Sequence, residues 1–574
     1  MTITLATLAD YEGILALHKT YHTDSISPED RPDGFVTTNF TPQQLEDLIV
    51  KEQGVTVAKD ETGRIVAYAT AASWDYWSQW PLFVYMIDHL QEYQLDGVTL
   101  TKENSYQYVP ACVHKDYRGT GLFAKVFRAS LDSMAHHYPI MATFVNQVNP
   151  RSYAAHTRKV GMTTAGTFPF NNNQYYCLVC PTASFQYHLN FHHQPDPKAL
   201  DLTSPQATDA AHTFHRSLPG YAPTPLVCLE AQAKHLGVDK LWVKDESHRF
   251  GLNAFKGLGG SYAIAEHLCG RLGIPVDEKA FSILTSPETR EKLGTLTFVT
   301  ATDGNHGRGV AWAARVFGHR SVVYMPKGSA PERLENIRAQ GAEAEITDLN
   351  YDDAVRLASR MAEEQGWVLI QDTAWEGYED APTHIMQGYT TLAHEIAQAL
   401  DQPPTHLFLQ AGVGSVAGAV AGYFATLYGE DRPVTVICEP DQADCLYRTA
   451  KADDGQLHFV TGDMDSMMAG LCCGEPCTIS WDILKGTADC FVSCADYYAA
   501  RGMILLGKPL GEDTPVVSGE SGAVTAGVLE GLMTEPRLAD LRDRLGLDET
   551  SRVLLISTEG DTDKENYQRI LSKI

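Results

Sequence analysis

Arg249-Phe250-Gly251-Leu252-Asn253-Ala254-Phe255-Lys256-Gly257-Leu258-Gly259-Gly260 sets one lysine among glycines and apolar residues. A solvated lysine belongs on the polar face of a helix, where its ammonium keeps its water. An amine taken out of water is more easily neutral, and a neutral amine is a nucleophile. The neighbouring motifs should therefore supply something for Lys256 to react with.

Residues 203–574 alternate short apolar runs with helical patterns. LTFVTA, SVVYMP, WVLIQD, THLFLQA, PVTVICE and RVLLIST read as buried strands. GRGVAWAARVFG and PERLENIRAQGA read as helices, the second with proline at its first position. Continuous apolar strands separated by helices signal a mostly parallel sheet, which binds ligands beyond its strand ends. Two such ends carry polar or glycine-rich loops. Thr302-Asp303-Gly304-Asn305-His306-Gly307 follows LTFVTA, and Gly412-Val413-Gly414-Ser415-Val416-Ala417-Gly418 follows THLFLQA. Glycines let backbone N–H groups approach an anion, and the next helix adds its positive end. No Gly-Lys-Ser/Thr follows, so this is not a Walker loop. A lysine, an asparagine loop and a phosphate loop, in that order, are what pyridoxal phosphate needs. Lys256 would join the aldehyde, Asn305 the ring hydroxyl, and Gly412, Val413, Gly414 and Ser415 the phosphate.

With Pro223-Thr224-Pro225-Leu226 and Lys244-Asp245-Glu246-Ser247, these motifs resemble the fold-type II, tryptophan-synthase-like PLP enzymes. Eight of them, RFGLNAFKGLGGSYAIA, TDGNHGRGVAWAA, YMPKGSA, QDTAWEGY, IMQGY, MAGLCCGEP, SGESGAV and STEGDTD, resemble the diaminopropionate ammonia-lyases, from about Phe214 to the C-terminus. The resemblance implies conversion of 2,3-diaminopropionate to pyruvate and two ammonia by a homodimer. It also implies action on both enantiomers, which needs a base on each face of the ring. Lys256 serves one face, and Asp303, where threonine dehydratases have a small residue, serves the other. Asp372 would hold the β-ammonium or serve as a loop or cap residue. Ser557 or Thr558 would meet the ring nitrogen. His306 and Arg308 flank the loop, either as carboxylate ligands or as packing and helix-start residues. The competing reading is a PLP-dependent dehydratase or β-replacement enzyme, against which Asp303 argues.

Residues 1–183 differ. Helical patterns (LADYEGILALHKTYH, TPQQLEDLIVKE) precede short strands (GVTVAKD, RIVAYATAAS, YQYVPACVH), then the helix GLFAKVFRASLDSMAHHY and the strand IMATFVNQV. Val113, Arg118, Gly119, Thr120 and Gly121 form a strand end, a basic glycine turn and a helix start, which suit a pyrophosphate. This layout resembles the GNAT acetyltransferases, which bind acetyl-CoA between splayed strands. Phe123 departs from that family's small residue, and His156 stands near its usual tyrosine. His156 would protonate the leaving thiolate. A non-catalytic acetyl-CoA sensor is the alternative for this domain. Residues 184–202, irregular and proline-punctuated, read as the connection, with His192 and His193 as ordinary linker residues.

The fold class is therefore α/β: a GNAT-like mixed domain (1–183), a linker (184–202) and a fold-type II domain with two parallel-sheet subdomains (203–574). Of 574 residues, 72 are acidic and 45 basic, and the net charge of -27 argues against nucleic acid or an acidic membrane as partner. The N-terminus shows no signal peptide, and no segment is apolar for about 18 residues. Twelve scattered cysteines suit reduced thiols in a cytoplasmic protein. Cys472, Cys473 and Cys477 lack a second ligand pair and read as thiols rather than a metal site.

Overall fold

The computed structural model describes residues 1–572 except 28, 30–34, 96, 97, 136, 192, 193, 303 and 463. Asp303, His192 and His193 thus lie outside the described residues. The chain divides into two compact units, Met1–Ser184 and Phe185–Ile574.

The first unit is a seven-stranded sheet in the order β1-β2-β3-β6-β7-β9-β8. Its strands are β1 (Thr2–Leu5), β2 (Val55–Lys59), β3 (Ile65–Ala72), β6 (Ser105–Val113), β7 (Ile140–Asn146), β8 (Thr163–Phe170) and β9 (Asn173–Pro181). A small hairpin of β4 (Gln94–Leu95) and β5 (Val98–Thr99) stands apart. Every pairing in the large sheet is antiparallel except β6 with β7. Those two pair in parallel only at Ser105–Gln107 against Ile140–Ala142. Beyond that short ladder β6 runs on for six residues and β7 for four without pairing to each other. Apolar side chains fill both faces of the sheet. Trp74, Trp77 and Tyr68 lie in one core, Phe127 and Met141 in the other.

The second unit holds two sheets. The larger has the order β10-β19-β18-β17-β20-β12-β11. Its strands are β10 (Phe185–Leu189), β11 (Leu226–Cys228), β12 (Lys240–Asp245), β17 (His406–Gln410), β18 (Val434–Pro440), β19 (Cys490–Cys494) and β20 (Arg552–Ser557). The five central strands are parallel and the two edges antiparallel. The smaller sheet is all parallel, β15-β14-β13-β16, from β13 (Thr297–Ala301), β14 (Arg320–Met325), β15 (Glu343–Ile346) and β16 (Val368–Leu369). Every residue of β17 and β19 is buried, as a sheet covered on both faces requires.

The linker assignment needs correcting at one point. Phe185–Leu189 is β10, paired residue for residue with Cys494–Cys490. Its burial does not alternate: Gln186 and Tyr187 are exposed and Phe185, His188 and Leu189 partly buried, because an edge strand has one neighbour, and that weak pattern conceals it in the sequence.

The glycines after Lys256 also have a structural explanation. They begin the helix Gly257–Leu272, which lies against the helices Asn305–Val316 and Asp380–Ala399. A Cβ on Gly260 would stand 3.2 Å from the backbone of Gly309, and one on Gly388 2.7 Å from the carbonyl of Leu258. Three helix backbones meet here, and only glycine permits that approach.

Candidate active site

In the second unit, side chains from both sheets converge beside Lys256. The lysine precedes its helix, and its ammonium donates a hydrogen bond to Asp372 Oδ2. Asp372 comes just after β16 and is 3% exposed. Its Oδ1 accepts from the Tyr351 hydroxyl and the Gln371 amide, each at 3.3 Å. Burial alone would raise this carboxyl. The charges of His306 and Lys256, with the hydrogen bonds from Lys256 and Tyr351, outweigh it and hold the group well below the carboxylate range. His306 Nε2 donates to the Ile370 carbonyl at 2.8 Å, so its Nδ1 faces Asp372 Oδ2 at 3.7 Å. Burial lowers the imidazole pKa, while Asp372 pushes the other way.

The glycine loop closes the cavity opposite. Gly414 has φ 99°, a left-handed conformation that spares glycine a steric cost, and caps the helix Ser415–Tyr428. A Cβ on Gly412 would come 3.2 Å from Cys473 Sγ, so the loop's backbone is what the cavity sees. Ser415 Oγ donates to the Asp372 carbonyl, fastening the loop to the Asp372 segment.

Lys256, Asn305, Asp372, Gly412, Val413, Gly414, Ser415 and Thr558 all line this one cavity. Ser557 does not. Neighbouring strand residues point to opposite faces, and its hydroxyl donates to Ser518 Oγ at 2.8 Å. Thr558 Oγ1 accepts from Gln410 Nε2 at 2.8 Å. The Asn305 amide donates to Glu559 Oε2. Arg308 is not among the lining residues, and its Nε is buried without a hydrogen-bond partner. Sequence reasoning missed Tyr351, Gln410, Cys473, Ser521 and Glu559, which also line the cavity. Ser521 and Glu559 lie within quoted motifs, SGESGAV and STEGDTD, but nothing in the sequence marks which letter faces inward. The Ser521 hydroxyl is buried and has no hydrogen-bond partner.

In the first unit, the parting strands β6 and β7 enclose a cleft of about 360 Å³. Val113, Arg118, Gly119, Gly121 and His156 line it; Thr120 does not, and its hydroxyl donates to the Tyr117 carbonyl at 2.7 Å. Gly119 and Gly121 have φ of 86° and 84°, and Gly121 caps the helix Leu122–Met134. Arg118 folds back: Nε donates to the Val113 carbonyl at 3.0 Å and the guanidinium lies 4.8 Å over the Tyr21 ring. The Nδ1–H of His156 donates to the Ser152 carbonyl at 2.8 Å, and burial lowers the imidazole pKa.

The chain belongs to the pyridoxal-phosphate dependent enzyme family, whose model matches residues 218–559. Within that class it is similar to diaminopropionate ammonia-lyases. That of Salmonella typhimurium is 54% identical over 378 residues, 65% of this chain and 94% of that one. That of Escherichia coli K12 is 49% identical over 373 residues, 64% and 92%. The crystal structure of holo diaminopropionate ammonia lyase from Escherichia coli superposes with a TM-score of 0.63 at 46% identity, covering 68% of this chain and 96% of that one. Threonine deaminase from Solanum lycopersicum, 18% identical with a TM-score of 0.52 over 68% of this chain and 98% of its own, shares the fold alone.

Proposed function

We propose that the second unit converts 2,3-diaminopropionate and water to pyruvate and two ammonia, using pyridoxal phosphate. The observation that carries this is the Lys256–Asp372 pair beside the glycine loop. The residues fit the cofactor. Gly412 and Gly414 leave room for a phosphate, the helix at Ser415 supplies N–H groups, and Thr558 and Ser521 are neutral hydroxyls for the ring nitrogen. When bound, pyridoxal phosphate supplies an electron sink for loss of the substrate α-proton.

This chain's residues do the rest. Lys256 holds the cofactor, then takes the α-proton on its own face as a free amine. Asp303 takes it from the opposite face. Asp372 already binds an ammonium, that of Lys256, and once the lysine is engaged it is free to bind the β-ammonium of the substrate. Holding that nitrogen protonated makes it a better leaving group. The protein is expected to be a cytoplasmic homodimer. Pyruvate release from D- and L-diaminopropionate tests the reading, and release from serine or threonine only would overturn the substrate.

For the first unit we propose binding of acetyl-CoA between β6 and β7 and acetyl transfer to an amine. Support comes from the short parallel ladder, the cleft beyond it and the left-handed glycines at the helix start. His156 Nε2 would accept the proton of the attacking amine and deliver it to the leaving thiolate. Release of free CoA in an amine screen supports transfer. A lyase rate that responds to acetyl-CoA with no CoA released would make this unit a sensor.

A further inference from the structure

Glu559 has no role in the reading above, yet a carboxylate buried to 1% exposure in a ligand cavity needs a reason. Removing such a charge from water is costly unless hydrogen bonds replace the water. Here they do. Oε1 accepts from the Ser521 N–H at 3.1 Å, and Oε2 accepts from the Asn305 side-chain amide. Ser521 lies in the first turn of the helix Glu520–Thr534, whose positive end favours a carboxylate.

We propose that Glu559 is a positioning residue that fixes the amide of Asn305 with its N–H side toward the cofactor ring and ties the two sheets together across the site. The proposal rests on the reading of the second unit as a pyridoxal phosphate enzyme. Three observations support it. A carboxylate only accepts, so it admits the nitrogen end of Asn305 and excludes the oxygen end. One amide N–H is thereby held, and the second keeps a defined direction as a donor. Next, Asn305 begins the helix after β13 of the small sheet, while Glu559 follows β20 of the large sheet. The bond therefore spans the subdomains. Finally, the backbone around Glu559 is paired with the stretch before Lys256. Ala254 bridges Glu559, the Phe255 N–H donates to the Thr558 carbonyl at 3.1 Å, and the Gly560 N–H donates to the Asn253 carbonyl at 3.0 Å. One short segment thus sets the positions of the lysine and the asparagine relative to each other.

The test is a double-mutant cycle of E559Q with N305A in the full chain. Glutamine keeps the shape, but with its single oxygen accepting from the Ser521 N–H it turns an NH2 toward Asn305 and favours the flipped Asn305 amide. E559Q is expected to melt near the wild-type temperature, to shift the visible absorbance band formed with pyridoxal phosphate, and to weaken cofactor affinity and kcat/KM by about 10–100-fold, as loss of a charge-assisted hydrogen bond would. The double variant should be no worse than N305A alone, because the two residues act as one unit. Multiplying losses, or a lowered melting temperature with an unshifted band, would overturn the proposal. If E559Q fails to fold, E559A, which removes the acceptor from Asn305 altogether, enters the same cycle under the same criteria. A wild-type chain that gains no visible band would overturn the cofactor reading as well, whereas a wild-type band unchanged in E559Q overturns this proposal alone.

Discussion

In the first unit the cleft between β6 and β7 offers a ligand a helix start and a neutral imidazole, whereas the cavity beside Lys256 offers charges already paired with one another. Gly119 and Gly121 expose backbone to the first cleft, and His156 has its one proton committed to Ser152. In the second unit Lys256 is paired with Asp372, Asn305 with Glu559 and Ser415 with the Asp372 carbonyl. A second buried network lies in the same unit. Arg249, 1% exposed, contacts Glu246 and Glu395, and Lys244 donates to Glu395 at 2.6 Å. Arg249 and Glu246 belong to the segment leading to Lys256. The difference teaches that the cavity beside Lys256 is built from groups that fix one another's charge and position, while the first cleft presents mainly backbone shape.

Four changes would break or sharpen this contrast. Lys256→Ala should remove the visible band and lower lyase turnover by at least about 1,000-fold, leaving acetyl-CoA binding by the first unit unchanged. Absorbance spectra, a pyruvate assay and calorimetry with acetyl-CoA check both halves.

Glu395→Gln should destabilise the second unit by about 3–5 kcal/mol, because Arg249 and Lys244 lose a buried counter-charge. Denaturant unfolding measures it, and a cost under about 1 kcal/mol would show the network to be dispensable. Its pH dependence has a definite sign. Burial raises the Glu395 carboxyl, but Arg249 and Lys244 outweigh it and bring the group down to about 2. Its stabilising effect is complete above its ordinary 4.5 and is lost as the pH falls toward 2. Burial brings His215 down to about 3, so below its ordinary 6.5 the unfolded chain takes up a proton that the folded chain refuses. Both groups make the second unit weaken with acid, starting near pH 6.5, as unfolding midpoints at pH 7, 5 and 4 would record.

Asp372→Asn keeps the shape but loses the charge that holds an ammonium, and should lower kcat by about 100-fold with the cofactor still bound. A rise in KM alone would reduce Asp372 to a substrate anchor. The smallest effect is expected at Gly121→Ala. Nothing lies within 4 Å of the added Cβ, so the cost is only that of the left-handed backbone, about 1 kcal/mol. Acetyl-CoA affinity should fall by about fivefold. An unchanged affinity would remove the turn from the binding site.

Much of this was legible in the sequence. Continuous apolar runs announced the parallel strands β13, β14, β17, β18 and β20, since a strand covered on both faces has no polar side to show. The loops carrying Asn305 and Gly412 could be placed because they follow such runs. β10 escaped because its half-exposed edge pattern resembles a loop. Tyr351 escaped because a helix-start tyrosine carries no mark of the aspartate it will meet 21 residues later.

Residue type and order by themselves determined the groups at hand: one amine, a glycine loop, carboxylates, and a further domain with a basic glycine turn. Tertiary structure alone decided which way each group faces. It turned Thr558 toward the cavity and Ser557 away from it, brought Asp372 onto Lys256, and set Glu559 against Asn305. It also assigned the glycines after Lys256 to helix contacts rather than to the cavity lining. The physical reason is range. Periodicity and turn chemistry act over a few residues and are written locally, whereas a hydrogen bond such as that between Asn305 and Glu559 joins positions 254 residues apart, which only the packed chain brings together.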